Sequence, residues 1–335
     1  MPDPMRMAGM PPAWTRSDGG ARGSLWAIVL AGGQGARLRS LTRHVHGDDR
    51  PKQFAVLSGN RSLLRQTLDR VALLIPRERT VVVTMAEHLR HVAAELEVAG
   101  GRPWILTQPE DRGTAAALLL AAHWTQARDD EATIAVFPSD HFVLEERAFM
   151  GHVEALAAFV ESNSDYTVLL GAQPTEPETD YGWVEPAERI GWARRNPVHR
   201  VRCFREKPSP AEARSLFAGG ALWNTLVFVA RAAALIEAGR ECVPVLESRL
   251  RRAAFFGGTD HERWALRQAY GLAPTANFSR SMLEVWPLPL GICTLSAITW
   301  CDLGTPARVL KMLADLGANP AWAATLPWPA SPVAK

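Results

Sequence analysis

No run of eighteen apolar residues occurs, so no membrane-spanning helix is predicted. The opening stretch, MPDPMRMAGMPPAWTRSDGGARGS, lacks the continuous apolar segment of a secretory signal. An excess of one charge is missing too. Lys+Arg total 37 against 35 Asp+Glu, a net charge of +2, and the arginines are scattered, so no nucleic-acid partner is predicted. Cysteine is scarce. The four residues Cys203, Cys242, Cys293 and Cys301 show no CxxC spacing, and free, buried thiols in a reducing cytoplasm are expected. Internal repeats and a central linker are also absent. What remains is a 335-residue chain, 47% hydrophobic and 21% charged, long enough for one large domain or two modest ones.

The apolar pattern alternates between strand and helix. LWAIVLA (25–31), TVVVTM (80–85), WILTQP (104–109) and ATIAVFPSD (132–140) read as strands. SLLRQTLDRVALLI (62–75), AEHLRHVAAELEVAG (86–100) and TAAALLLAAHWTQA (114–127) read as helices. This succession predicts an α/β, Rossmann-like mixed sheet, mainly parallel and flanked by helices. After residue 165 strand-like pieces follow with fewer helices: YTVLLGA, GWVEPA, VHRVRCFREKP and ALWNTLVFVA. A helical stretch over about 231–285, the apolar LGICTLSAITWCDLGT (290–305) and a helix in PARVLKMLADLG complete the pattern. The expected layout is a loose tail over 1–24, one domain over 25–318 with halves at 25–165 and 166–318, and a Pro/Ala-rich surface tail over 319–335.

LAGGQGARLRSLTRHVHGDDRPKQF (30–54) places three glycines after the first strand, where α/β sheets bind ligands. Gly32, Gly33 and Gly35 allow close backbone approach, and successive N–H groups can form an anion-binding nest. The loop is neither a GxGxxG nor a GxxxxGK[ST] fingerprint. It does carry Arg37 and, further on, Lys52. Two cations beside a nest suit a triphosphate whose pyrophosphate leaves as charge builds; the alternative is a turn that merely bends the chain. His44, His46, Asp48 and Asp49 look ligand-like, but the stretch reads as a loop without a further ligand, and no metal site is expected there.

LAGGQGARL followed by RPKQF resembles the signature of the sugar-1-phosphate nucleotidyltransferases, or nucleotide-sugar pyrophosphorylases, and the PKQF form is most similar to mannose-1-phosphate guanylyltransferases. The resemblance spans about residues 25–315. It implies that Leu30, Ala31, Gly32, Gly33 and Gly35 line the nucleotide phosphates, with Arg37 and Lys52 as catalytic cations. QPEDRGTAAALLLAA resembles the base and ribose segment, with Arg112 and Thr114 as contacts. FPSDH and WCDLGTP match the family's two acids, which makes Asp140 and Asp302 the expected Mg²⁺ ligands; helix-capping aspartates are the alternative. FREKP implies Lys207 on the sugar phosphate and Glu206 on sugar hydroxyls, while TDYGWVE and LWNT place Gly182 and Asn224 beside the hexose. Trp183 and Trp223 lie inside these motifs, where ring stacking on the sugar is open. The chain departs from the pattern at Ala36 (usually Thr or Ser), Gly113 (often Asn), Leu226 (usually Gly) and Asn277 (commonly Asp). Leu226 predicts a narrower sugar pocket. By length, neither the β-helix nor the isomerase domain that some members carry is expected.

The implied reaction joins a nucleoside triphosphate, GTP by the PKQF resemblance, to a sugar 1-phosphate, mannose 1-phosphate, with release of pyrophosphate and Mg²⁺ as cofactor. A phosphate monoester with a second pKa of about 6 is already an ionised nucleophile at neutral pH. No general base is then required, in keeping with the lack of a Ser/His/Asp arrangement. The same chemistry with another base or hexose, a metal-dependent glycosyltransferase, and a non-catalytic nucleotide-sugar sensor stay open, as does a homodimer.

Overall fold

The parallel strands form where the sequence is apolar on both faces. The structure is a computed structural model that describes residues 25–96, 102–257, 259–286 and 289–326. The expected tail over 1–24, the glycine-terminated end of the helix expected over 86–100, and residues 327–335 of the expected C-terminal tail lie outside the described residues. In the N-terminal half the elements are β1 (Leu25–Ala31), α1 (Arg39–His46), α2 (Leu63–Val71), β2 (Thr80–Met85), α3 (Leu89–Leu96), β3 (Trp104–Gln108), α4 (Thr114–Gln126), β4 (Thr133–Pro138), β5 (Phe142–Val143) and α5 (Glu146–Ser162). The second half contributes β6 (Thr167–Ala172), β7 (Gly182–Ala193), β8 (Asn196–Glu206), α6 (Pro210–Ala218), β9 (Leu222–Arg231), α7 (Ala232–Cys242), α8 (Pro244–Ala254), α9 (Glu262–Leu272), α10 (Phe278–Ser281), β10 (Leu290–Leu295), β11 (Trp300–Cys301) and α11 (Pro306–Asp315).

Nine strands make one mixed sheet in the order β3-β2-β1-β4-β9-β6-β10-β8-β7. The first four run parallel, with Val29 of β1 opposite Val82 of β2 and Phe137 of β4. β9 joins the two halves by pairing antiparallel to both β4 and β6. The start of β7 also pairs back on β9, Trp183 opposite Trp223, which curls the far end of the sheet. The expected α/β sheet flanked by helices is therefore what forms.

Helices cover both faces. α4 is apolar all round and is buried from Ala115 to Thr125, as a core helix must be. It fills one layer with α7, α8 and α9. On the other face α5 presents Phe149, Val153, Leu156 and Val160 at helical spacing. A third cluster lies beneath the glycine loop. There Leu38 and Leu41 meet Leu303, Val309 and Leu313, and Trp322 packs on its edge. The chain just after residue 318 is thus pinned to α1, where Trp322 O lies 3.0 Å from His44 Nε2.

The stretch holding His44 and His46 is helical through His46, not a loop. His46 Nε2 accepts the Val56 N–H at 3.0 Å, Asp49 pairs with Arg43, and Asp48 pairs with Arg50. The four cysteines are free, Cys293 buried and the others half-buried. Among the described residues no helix is long and apolar enough to cross a membrane.

Candidate active site

β1 ends at Ala31 with β2 and β4 on either side, and the chain leaves toward β2. That leaves a crevice between the ends of β1 and β4, the place where open α/β sheets take ligands. The glycine loop lies over it. Gly35 has φ +59°, and a Cβ there would stand 2.7 Å from Lys52 N, so only glycine lets the loop fold down onto the RPKQF segment. Gln53 then ties the two motifs together. Its buried amide donates to Ala31 O at 3.0 Å and Gly33 O at 2.9 Å. Thr84 Oγ1 donates to Ala31 O as well, and Ser139 Oγ to Leu30 O at 2.6 Å. With these carbonyls tied down, the loop is held from below by side chains of three segments.

Gln53→Leu should therefore cost about 0.5–1.5 kcal/mol, the net worth of the hydrogen bonds lost, because Thr84 still serves Ala31 O and Gly33 lies on the exposed loop. Urea unfolding reads this directly, and an unchanged midpoint would mean that Gln53 does not brace the loop.

The two acids come together through the small β5–β11 ribbon. Cys301 pairs with Phe142 antiparallel, so Asp302 emerges beside His141 and Asp140 although the sequence separates them widely. Lys52, nearly buried, bridges them: Nζ lies 3.0 Å from Asp140 Oδ2 and also donates to the Asp302 carbonyl. Burial pushes the Asp140 carboxyl up, but the Lys52 and His141 charges and the Lys52 hydrogen bond outweigh it and hold the group below its ordinary value. At Asp302 burial again works upward, and His141, Arg308 and Lys52 together with a Tyr181 hydrogen bond carry the net shift downward. Asp302 Oδ1 accepts from Tyr181 OH at 2.8 Å and Gly304 N at 3.0 Å, and Arg308 Nη1 lies 3.1 Å from Oδ2. Burial also lowers His141 to about 4, so it is a neutral neighbour of Asp140 at physiological pH. No group of three or more His, Cys, Asp or Glu that could hold a metal ion gathers among the described residues.

Arg37 stands at the rim, half-exposed, 3.0 Å from Asp180 Oδ2. On the sugar side, Gly182 is opposite Glu206 in the β7–β8 pairing. A Cβ at Gly182 would sit 2.8 Å from both Glu206 Oε2 and Phe204 Cζ, so the missing side chain makes room for these two residues. Burial raises the Glu206 carboxyl, against the opposing pull of Lys207 and a Ser279 hydrogen bond. Lys207 sits at φ +52°, turned away from the strand path, with its N–H on Tyr181 O. Asn224 Oδ1 accepts the Leu226 N–H at 3.0 Å, which leaves its NH₂ as the free end. Leu226 keeps the left-handed backbone that glycine favours, φ +57°, and holds it with a full side chain. Trp183 is fully buried with Nε1 on Glu178 O, so it is a core residue and not a stacking platform. Trp223 packs its ring 4.6 Å from Tyr181.

Arg112 and Thr114 are engaged elsewhere. Arg112 Nε donates to Tyr270 O and Nη2 pairs with Glu110, while Thr114 Oγ1 accepts the Phe278 N–H at 2.9 Å. Arg112 thus ties the entry to α4 to α9, and Thr114 ties α4 itself to α10; Thr114 keeps only its hydroxyl proton to offer. Asn277 caps α10 by accepting the Arg280 N–H, a role an aspartate could fill equally. Four participants were not singled out by sequence reasoning. Gln53 and Tyr181 lie within quoted motifs, Ser139 within FPSDH, and Arg308 carries no motif at all.

The family described as nucleotidyl transferase matches residues 26–318. Xanthan biosynthesis protein XanB of Xanthomonas campestris pv. campestris is 31% identical over 294 residues, 85% of this chain and 58% of its own length. Mannose-1-phosphate guanylyltransferase RfbM of Salmonella typhimurium is 34% identical over 221 residues, 64% of this chain and 43% of that one. A crystal structure from Thermus thermophilus, described as mannose-1-phosphate geranyltransferase, superposes with a TM-score of 0.72 at 30% identity and covers 86% of this chain and 79% of that one. The chain spans little more than half the length of the curated relatives it matches.

Proposed function

The chain belongs to the nucleotidyl transferase family, and we propose that it transfers the nucleotidyl group of GTP to mannose 1-phosphate, giving the nucleotide-sugar and pyrophosphate. The observation that carries this reading is the Lys52 ammonium set between Asp140 and Asp302 directly under the glycine loop. That arrangement gathers fixed charge of both signs where a triphosphate would lie along backbone N–H groups. The choice of GTP and mannose 1-phosphate rests on PKQF and on the names of the relatives.

An oxygen of the sugar phosphate attacks the α-phosphorus in line, and the bond to the bridging α–β oxygen breaks with its electron pair leaving on pyrophosphate. The backbone of Leu30, Ala31, Gly32, Gly33 and Gly35 cradles the phosphates. Arg37 and Lys52 offset the charge that grows on the leaving pyrophosphate. Lys207 holds the attacking phosphate, Glu206 accepts from sugar hydroxyls, and the free NH₂ of Asn224 donates to one beside Gly182. Thr114 and Arg112 take the base and ribose side, Thr114 through the one proton that its hydroxyl keeps. Asp140 and Asp302 fit Mg²⁺: both are held as carboxylates, and Mg²⁺ takes one or two such oxygens and fills its remaining positions with phosphate and water. When bound there, Mg²⁺ would neutralise charge between nucleophile and α-phosphate.

Arg37→Ala should lower kcat by about 10²–10³, the size of losing one preorganised charge stabiliser. Near-normal turnover would remove Arg37 from the leaving-group side. Substrate identity is tested by crossing five nucleoside triphosphates with several hexose 1-phosphates and identifying the nucleotide-sugar formed. Product from GTP and mannose 1-phosphate alone is expected; product from a different pair would keep the chemistry and replace the substrates.

A further inference from the structure

Two arginines from opposite ends of the chain converge on Gly304. A Cβ at Gly304 would lie 2.5 Å from Asp302 Oδ2, 2.9 Å from Arg308 Nη1 and 3.2 Å from Arg37 Nη2. Any side chain at position 304 would thus displace one of these groups, and glycine allows both guanidiniums to approach the same spot. Bare guanidiniums at this separation repel, so a negative group must sit with them. Asp302 neutralises Arg308 from beneath. On the solvent side Glu178 holds Arg308 Nη2, and Asp180 pairs with Arg37, its Oδ2 3.0 Å from Arg37 Nη1 and a longer 3.9 Å from Arg308 Nη2.

The members of this cluster differ in how firmly they are held. The Arg308 side chain is 16% exposed, lies 4.4 Å over the Tyr181 ring, and donates to Glu178. Arg37 and Asp180 are 52% and 44% exposed, and each is held by a single contact to the other closer than 3.5 Å. Arg308 is thus the firmly held member of the pair, and Arg37 with Asp180 the loosely held one.

We propose that Arg37 and Arg308 together form a polyphosphate clamp and that Asp180 occupies it in the free protein as an internal stand-in for a phosphoryl group. This rests on the functional reading above, which puts pyrophosphate beside Arg37, and it adds Arg308 and Asp180 to that subsite. A phosphoryl group brings more negative charge and more acceptor oxygens than one carboxylate, so it displaces Asp180 from both arginines. Asp180 adjoins Tyr181, which hydrogen-bonds Asp302, and Gly182, which opens the sugar side. Arrival of the polyphosphate therefore releases Asp180 next to the residues that frame the sugar site.

Calorimetric titration with inorganic pyrophosphate in Mg²⁺-free buffer tests this without turnover. Asp180→Asn removes the competitor but keeps its shape, and it should tighten pyrophosphate about three- to fivefold, the scale of an exposed ion pair. Asp180→Glu should restore the wild-type value. Arg308→Gln should weaken binding about tenfold, as loss of a charged hydrogen-bonding arm does, and Arg308→Lys should fall between. Unchanged or weaker binding by Asp180→Asn, while Arg37→Ala still loses affinity, would overturn the stand-in role and leave the functional reading in place. Unchanged binding by Arg37→Ala would overturn both. Repeating the titration with a non-hydrolysable triphosphate should give the same rank order; tightening for pyrophosphate alone would confine the clamp to the product.

Discussion

Asp140→Asn is expected to lower kcat/KM by about 10³ or more, the several kcal/mol that a catalytic cation site supplies, while stability changes little. The asparagine oxygen can still accept from Lys52 Nζ, which now lies 3.0 Å from Asp140 Oδ2, so the local packing survives the loss of charge. What disappears is the carboxylate that faces the crevice at the end of β4. Pyrophosphate release and urea unfolding measured on the same preparation separate the two effects. Turnover within tenfold of wild type would remove Asp140 from the chemistry, whatever the stability.

Lys52→Met is the second large effect, and it should act on both quantities. Lys52 is buried, and its ammonium is the group shared by Asp140 and the Asp302 carbonyl. Breaking a buried ion pair costs about 3–5 kcal/mol; the Asp140 side chain is 34% exposed, so water offsets part of this and about 1–3 kcal/mol is expected. Catalysis should fall by a further factor of about 10²–10³ for the missing leaving-group cation. The two causes can be told apart in the double variant. With Asp140→Asn already present no unpaired carboxylate remains, so the stability loss from Lys52→Met should shrink. An equal loss in both backgrounds would show that Lys52 stabilises by packing its stem rather than by pairing.

The contrast between these residues and the rest of the site shows what a sequence can convey. The parallel strands were legible because burial on both faces leaves uninterrupted runs such as TVVVTM, and all six of those residues are buried. The phosphate end of the site was legible for a related reason. Gly35, Arg37 and Asp140 lie just past strand ends, where position along the chain nearly fixes position in space, and Lys52 returns beside Gly35 after the single helix α1. Asp302 needed a motif resemblance, because only the β5–β11 pairing brings it to His141. Arg308 had no such marker, and Asp180, though inside TDYGWVE, had none that pointed to the phosphate side. They meet through three segments distant in sequence, and a charged residue in a helix or a loop has no distinguishing periodicity. Thr114 and Arg112 show the converse. Their motif is present, but tertiary contacts with Phe278 and Tyr270 engage most of their polar atoms. The apolar spacing of α5 is regular enough to mark a helix, whereas α1 reads as a loop because its polar residues outnumber the two buried ones, Leu41 and Thr42.

The central claim is that this crevice makes a nucleotide-sugar by expelling pyrophosphate. The most direct measurement is the ratio of pyrophosphate released to nucleotide-sugar formed, with Mg²⁺, GTP and mannose 1-phosphate and purified protein. The account predicts one pyrophosphate per nucleotide-sugar, and loss of both products together in Asp140→Asn. Consumption of nucleotide-sugar without pyrophosphate, or tight nucleotide-sugar binding with neither product formed, would contradict it.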